Sequence, residues 1–414
     1  MRIFRLSLCL LLAACLWTAV APSAADWGFF GHRRINRLAV FTLPPDMMVF
    51  FKKHIEYLSE HAVDPDKRRY ATRHEAVRHY IDIDHWGVYP FDEVPRDWTS
   101  TLLKYSELYV VNGANDTLLV PINKNFGWPT EQQGSQPKWK ADVRKRVTQN
   151  YRRLFLRDIL PNYYEDEWPL NCDSLSFLQE HYGYSDCQTA FVVDRFSEYG
   201  ILPYHLIRMQ KTITKAFGRG DPQRLLRLLS DFGHYVGDAH VPLHTTENYN
   251  GQLTDQVGIH AFWESRIPEL FADEEFDFFV GKADYIENID DYCWDMVLTS
   301  HNYLDSVLLI EKSLSYSFPE DQQYCYEERL GRTVRTQCRD YARAYQERMR
   351  GMVERRMRES IHALGSLWYT AWVDAGQPDL TDFKALQAAA LEREQKQLEE
   401  VYKKGKSLGR THGQ

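Results

Sequence analysis

The run HYVGDAHVPLH, from His234 to His244, gathers three histidines and one aspartate in a chain with 15 histidines among 414 residues. Side chains four apart on a helix share a face, so His234 and Asp238 project together. Pro242 ends that helix, and His244, just beyond it, can fold back toward the same point. A second His/carboxylate pair at the same interval, His260 and Glu264, follows in HAFWE. Imidazole nitrogen and carboxylate oxygen are donors that can share a metal ion. The plain alternative is a set of core histidines satisfied by buried carboxylates, which a single pair would favour.

Further pieces lie upstream. In EHAVD (60–64) and RHYIDID (78–84), Asp64 precedes His79 by fifteen residues, and Asp82 and Asp84 follow it. Those two aspartates are placed to orient His79 through its second ring nitrogen. WGFFGH offers Trp27 and His32. His240 reads as a supporting or loop histidine, and His74 and His85 as surface or packing residues.

Together W-G-x-x-G-H, Asp, H-Y-x-D-x-D, H-x-x-x-D-x(5)-H and H-x-x-x-E resemble the superfamily of zinc-dependent phospholipases C and S1/P1 nucleases, secreted all-helical enzymes with three zinc ions. The resemblance runs from Trp27 to about Pro268, interrupted at about 86–200. It implies an all-α, multihelical zinc hydrolase with a large insertion and a helical C-terminal extension. By position it implies one zinc on Asp64, His79 and His234, with Asp238 bridging, and a second on His244, His260 and Glu264. A third would take His32, Asp238 and the amino and carbonyl groups of Trp27. Nine matching positions in order outweigh the core-histidine reading.

The reaction implied is phosphodiester hydrolysis with two or three Zn2+, Asp64 or Asp238 positioning the attacking water. Tyr80 and Asp82 stand where the nuclease branch binds a base, although Tyr80 reads equally as packing. Glu264 stands where that branch has Asp, which tilts the substrate toward a phospholipid headgroup at a membrane surface. Single-stranded nucleic acid, cleaved by a nuclease or 3′-nucleotidase, is the second reading. A noncatalytic zinc-binding surface protein is the third.

The elements that must position these residues are mostly helical. The segment 221–238 opens with Asp221 as N-cap and Pro222 at the first helical position, then sets Leu225, Leu226, Leu229, Phe232 and Val236 on one side. Similar periodicity covers 33–41, 46–61, 203–217, 260–270, 293–313 and 334–374, while β-type alternation is scarce. The zinc domain is expected over 27–268, with an aromatic, proline-punctuated insertion at 86–200. An extension over 269–383 would carry Trp368 and Trp372 back onto the core, and a charged tail would fray over 384–414. The basic run 138–153, with Trp139 and Tyr151 interleaved, reads as a solvated helix face or alternatively as a nucleic-acid groove.

Residues 1–26 have a basic start, an apolar run and small residues, as in a secretory signal peptide, so an exported protein is expected. LAAC, ending at Cys15, resembles a lipobox that would tether the chain. The SAADW sequence favours cleavage after Ala25, which leaves Asp26 ahead of Trp27 and its amine in a peptide bond. In an oxidising compartment Cys172/Cys187 and Cys325/Cys338 can close short loops and leave Cys293 free, against the alternative of five thiols. A net charge of -8 argues against a protein built to coat nucleic acid but not against a metal-dependent nuclease.

Overall fold

The computed structural model describes residues 28–120, 122, 141–162, 167–178, 186–329, 332–381 and 388–404. Trp27, Cys15 and the leader lie outside the described residues, so the expected third-site terminus and tether do too. The helices are α1 (Gly28–Ala39), α2 (Pro45–Lys53), α3 (Ile55–Glu60), α4 (Asp64–Arg68), α5 (Arg73–Ala76), α6 (Trp98–Tyr105), α7 (Ala141–Leu154), α8 (Leu202–Arg219) and α9 (Pro222–Asp238). After α10 (Ile259–Ala261) a π-helical turn, Phe262–Arg266, runs without a break into α11 (Ile267–Glu275). Then come α12 (Ile289–Ser317), α13 (Arg339–Arg348), α14 (Met352–Asp374) and α15 (Ala388–Lys403). Among the described residues no helix is long and apolar enough to cross a membrane.

The chain divides into two compact units, one holding the described residues up to His79 and from His205 onward, the other Tyr80–Tyr204. In the first unit α9 forms as its sequence dictates. Asp221 accepts a hydrogen bond from the Arg224 amide at 3.1 Å, Pro222 takes a position where its missing N–H costs nothing, and the five-residue apolar stripe is buried. The helix stops at Asp238, and a short 3₁₀ turn over Pro242–Thr245 follows.

α1 lies against α9 closely enough to need two glycines there. A Cβ on Gly233 would overlap the Asn36 amide oxygen, and one on Gly237 would sit 2.8 Å from His32 Nδ1. Asn36 locks the contact by donating from Nδ2 to the Leu58 and Ser230 carbonyls at 2.9 and 3.0 Å. Asn36 and His32 are four apart on α1, as the glycines are on α9, so one helix row nests in the other.

The stretch after Pro268 is part of the same core. Val241, Leu243, Phe262, Trp263 and Phe271 pack in one cluster with Leu304, Val307, Tyr341, Tyr345 and Met352. α14 packs on α1 and α9, with Trp368 fully buried beside Phe51 (ring centroids 5.1 Å) and Trp372 also buried. The single helix expected over 334–374 is broken by a strand at Arg332–Gln337, Cys338 and a left-handed turn at Arg350 and Gly351 (φ 53° and 72°). The tail is helical over Ala388–Lys403 and packs on α4, while 405–414 lie outside the described residues.

The described residues are mostly helical, as expected, but the fold is not purely α: six strands occur among them. In the second unit β1 (Ser106–Asn112), β2 (Thr117–Val120), β3 (Glu167–Leu170) and β4 (Cys187–Asp194) form an antiparallel sheet in the order β2-β1-β4-β3. Its strands carry apolar residues on both faces, which erases the two-residue alternation. Leu108, Val110, Ala190 and Val192 enter the core, while Tyr109 stacks on Phe191 (5.3 Å) on the other side. β5 (Tyr324–Arg329) and β6 (Arg332–Gln337) pair as a hairpin in the first unit. Disulfides join Cys172 to Cys187 and Cys325 to Cys338, and Cys293 is a buried free thiol. This pairing fits an exported protein.

Within α7 the basic run places Arg152 and Arg153 outside and Val147, Tyr151 and Leu154 inside. Tyr151 is fully buried and offers no stacking surface to a base; Trp139 lies outside the described residues.

The α1–α9 contact yields an expected outcome. Gly233→Ala should lower unfolding stability by about 1–3 kcal/mol through overpacking. Gly218→Ala, where nothing lies within 4 Å, should leave stability unchanged or slightly raised. Chemical denaturation of both variants checks the contrast.

Candidate metal centre

Six short segments of the first unit deliver side chains to one buried place. α1 supplies His32, α4 supplies Asp66, and the loop after α5 supplies His79. The last turn of α9 supplies His234 and Asp238, the following 3₁₀ turn His244, and α10 with its π turn His260 and Glu264. Four overlapping groups have donor atoms all within 4.8 Å of one another: His32/Asp66/His234, His79/His234/Asp238, His244/His260/Glu264 and His32/Asp238/Glu264. Each can hold a metal ion.

Asp238 is the hub. Its Oδ2 is 3.0 Å from His79 Nδ1 and 3.4 Å from His234 Nε2; its Oδ1 is 3.5 Å from His32 Nε2 and 3.9 Å from His244 Nε2. Glu264 plays the same part at the other end. Its Oε2 lies 2.7 Å from His260 Nε2 and 3.4 Å from His244 Nε2, and its Oε1 3.5 Å from His32 Nε2. Asp66 Oδ1 faces His234 Nε2 at 3.7 Å, His79 Nδ1 at 3.8 Å and the buried Arg69 guanidinium at 3.5 Å.

The backbone decides which nitrogen of each ring carries hydrogen. His234 Nδ1 is 2.8 Å from the Ala62 carbonyl, His244 Nδ1 2.5 Å from the His79 carbonyl, and His260 Nδ1 3.1 Å from the Tyr249 carbonyl. A carbonyl can only accept, so each Nδ1 is the donor, and the neutral ring presents a bare Nε2 lone pair to the cluster. Those of His244 and His260 face the Glu264 carboxylate, acceptor against acceptor, while His234 Nε2 lies 3.0 Å from His79 Nδ1 and 3.4 Å from Asp238 Oδ2. Such a meeting is stable with a proton on the ring or on the carboxyl, or with a cation between the partners.

Burial opposes the proton. It lowers the pKa of His244 despite the hydrogen bond and charge of Glu264. Asp238 is pushed well above the carboxylate range by burial and then by the negative charges of Glu264 and Asp66. For Glu264, burial alone would raise the pKa, but the adjoining His244, His260 and His32 rings carry it well below its usual value. Asp238 Oδ1 and His32 Nδ1 are buried and have no hydrogen-bond partner. Two acidic oxygen centres, facing nitrogen lone pairs and an unsatisfied Oδ1 fit divalent cations better than a proton network.

Seven of the expected residues, His32, His79, His234, Asp238, His244, His260 and Glu264, therefore meet. Asp64 does not join them. Its carboxylate is taken by His61 Nδ1 at 2.5 Å and Lys67 Nζ at 3.4 Å; burial would raise its pKa, but these contacts hold it below the ordinary value. Asp66 occupies the expected place instead. Two residues on a helical turn differ by about 200° in direction, so Asp64 and Asp66 cannot both face the cluster. Spacing to His79 offered no basis for choosing between them.

Tyr80 and Asp82 belong to the second unit. There the Tyr80 hydroxyl donates to the Glu198 carbonyl at 3.0 Å, and the Asp82 amide donates to the Tyr199 carbonyl. His240 is buried with Nδ1 on the Val236 carbonyl at 2.7 Å, a helix-end role. His85 stacks on Tyr199 at 3.5 Å, and half-exposed His74 follows the Thr72 cap of α5. The sequence reading missed Asp66, the orienting carbonyls of Ala62 and Tyr249, and the glycines that admit α1. The only sequence signal for these was GHYVGD itself, where Gly233 and Gly237 flank His234 at helical spacing. Comparison with protein-family models, curated proteins and solved structures gave no match.

Because Asp238 is a carboxylate held where its charge is disfavoured, Asp238→Asn should act in opposite directions with and without metal. In chelator near pH 8 the variant should be more stable than the parent by about 1–2 kcal/mol. With excess zinc it should be less stable, because ligand-linked stabilisation is lost. Thermal unfolding under both conditions reads the crossing.

Proposed function

We propose that this chain is a zinc-dependent hydrolase of phosphate esters, acting on phosphodiesters in the manner of a phospholipase C. The observation that carries the reading is the set of three imidazoles whose Nδ1 atoms are fixed on backbone carbonyls while their Nε2 atoms converge on Asp238 and Glu264. An all-nitrogen and oxygen donor set of this kind suits catalytic zinc, whereas structural zinc sites are rich in thiolate. The four described cysteines in disulfides and the buried Cys293 take no part in the metal groups.

Bound zinc would supply a water of lowered pKa and charge neutralisation at phosphorus. The protein's own task is to hold, orient and take up a proton. Asp238 is placed between the His79/His234 side and the His32/His244 side and can keep two ions at a fixed separation. Asp66, whose Oδ1 faces His79 Nδ1 and His234 Nε2, is the carboxylate assigned to orient the attacking water and receive its proton, the role expected of Asp64. Glu264 is long enough to engage His32 through one oxygen and His244 and His260 through the other, which accounts for Glu at this position. The resemblance to zinc phospholipases C and S1/P1 nucleases supplies the substrate class, and Glu264 supplies the tilt to phospholipid headgroups.

Purified protein should bind at least two zinc ions and hydrolyse phosphatidylcholine, with activity abolished by chelator and restored by zinc. His260→Ala should lower the rate by at least about a thousandfold. Cleavage of single-stranded DNA or RNA in place of phosphatidylcholine would assign the nuclease reading. Zinc binding without hydrolysis of either would overturn the enzymatic one.

A further inference from the structure

The N-terminal helices bring two ligands to the cluster, His32 on α1 and Asp66 on α4, and α4 is only five residues long. So short a helix cannot hold its own geometry; packing must do so. Asp66 faces the cluster, and the other side of α4 carries Lys67, whose ammonium is buried. Burying an ammonium is costly unless it is paired. Lys67 Nζ is paired twice, with Asp64 Oδ1 at 3.4 Å and with Glu399 Oε1 of α15 at 2.7 Å, across 332 residues of sequence. Three residues further along α15, Tyr402 meets the Tyr70 ring edge-on at 5.1 Å, just past α4, and the Phe29 ring at 6.3 Å, one turn before His32.

We propose that the C-terminal helix Ala388–Lys403 is a clamp for the metal centre, with Glu399 and Tyr402 as positioning residues that fix the α4 and α1 segments bearing Asp66 and His32. The clamp contributes no ligand. It acts on the His32/Asp66/His234 group and leaves the His244/His260/Glu264 group, built on other segments, untouched. The charged tail thereby gains a role that its composition did not suggest. This inference rests on the metal-centre reading for its effect on zinc, but the mechanical link between α15 and α4 stands apart from it.

The test uses the full chain with Glu399→Ala/Tyr402→Ala, and separately Lys67→Met, which removes the other end of the same pair. Zinc titration against a competing chelator should show affinity lowered about tenfold for one class of site, the magnitude expected when support of a ligand is removed. Asp66→Asn should affect that same class, and the other class should keep its parent affinity. Glu399→Ala and Lys67→Met should be non-additive when combined, because both break one contact. Hydrogen exchange in chelator should show the amides of 64–70 exchanging faster in the variants, with α9 and α14 unchanged. Affinity and exchange within twofold of the parent would overturn the clamp, as would uniform loss across both classes of site. If the parent takes up no zinc, the metal reading fails, and exchange at 64–70 still decides whether α15 holds α4.

Discussion

The first unit depends on a conflict among buried groups. Three imidazoles are turned by backbone carbonyls so that their Nε2 atoms face the carboxylates of Asp238 and Glu264, where burial disfavours an extra proton on His244 and the negative charge on Asp238. A folded chain keeps such an arrangement only if the rest of its packing over-determines it, and a bound cation would offset its cost. The surrounding structure reads as the means of over-determination. Gly233 and Gly237 let α1 approach until His32 stacks on His234 (ring centroids 3.8 Å), and Asn36 pins that approach to two carbonyls. The π-helical turn at Phe262–Arg266 sets Glu264 within the helix that carries His260. π turns of this kind recur at functional sites.

Beneath the cluster lies a second polar layer that holds the scaffold together. Arg68 pairs with Asp231 at 2.9 Å and reaches Glu75 at 3.6 Å, Arg78 pairs with Glu75 at 2.7 Å, and the Tyr235 hydroxyl donates to Glu75. Tyr235 and Glu75 are buried, and Asp231, raised by burial to about 6, is placed one turn before His234. The helix that carries His234 and Asp238 is thus tied through charge to α4 and α5. α14 closes its other side, so that the segment after Pro268 belongs to the core of the first unit.

How much of this was legible in the sequence follows from how local each signal is. His234, Asp238, His260 and Glu264 were readable because the i,i+4 interval turns sequence spacing directly into geometry. So was the start of α9, where Asp221 and Pro222 act within one turn. Asp66 was not readable, because Asp64 and Asp66 are chemically alike and only the tertiary setting of a five-residue helix decides which faces inward. The sheet of the second unit was hidden by strands such as Ser106–Asn112, apolar on both faces. The docking of α15 was hidden because, among the described residues, Glu399 and Tyr402 carry the contact with α4, Tyr70 and Phe29, in a stretch whose composition is otherwise that of a solvated helix. Tyr80 and Asp82 adjoin His79 in sequence and fall in the second unit.

The claim on which the account turns is that divalent zinc occupies the cluster through nitrogen and oxygen alone. Zinc-edge X-ray absorption on protein purified without added metal tests it directly. The account predicts at least two zinc ions per chain with a first shell of nitrogen and oxygen at about 2.0–2.2 Å and no sulfur. Protein that carries no zinc and takes none up, or zinc with a sulfur shell near 2.3 Å, would contradict it.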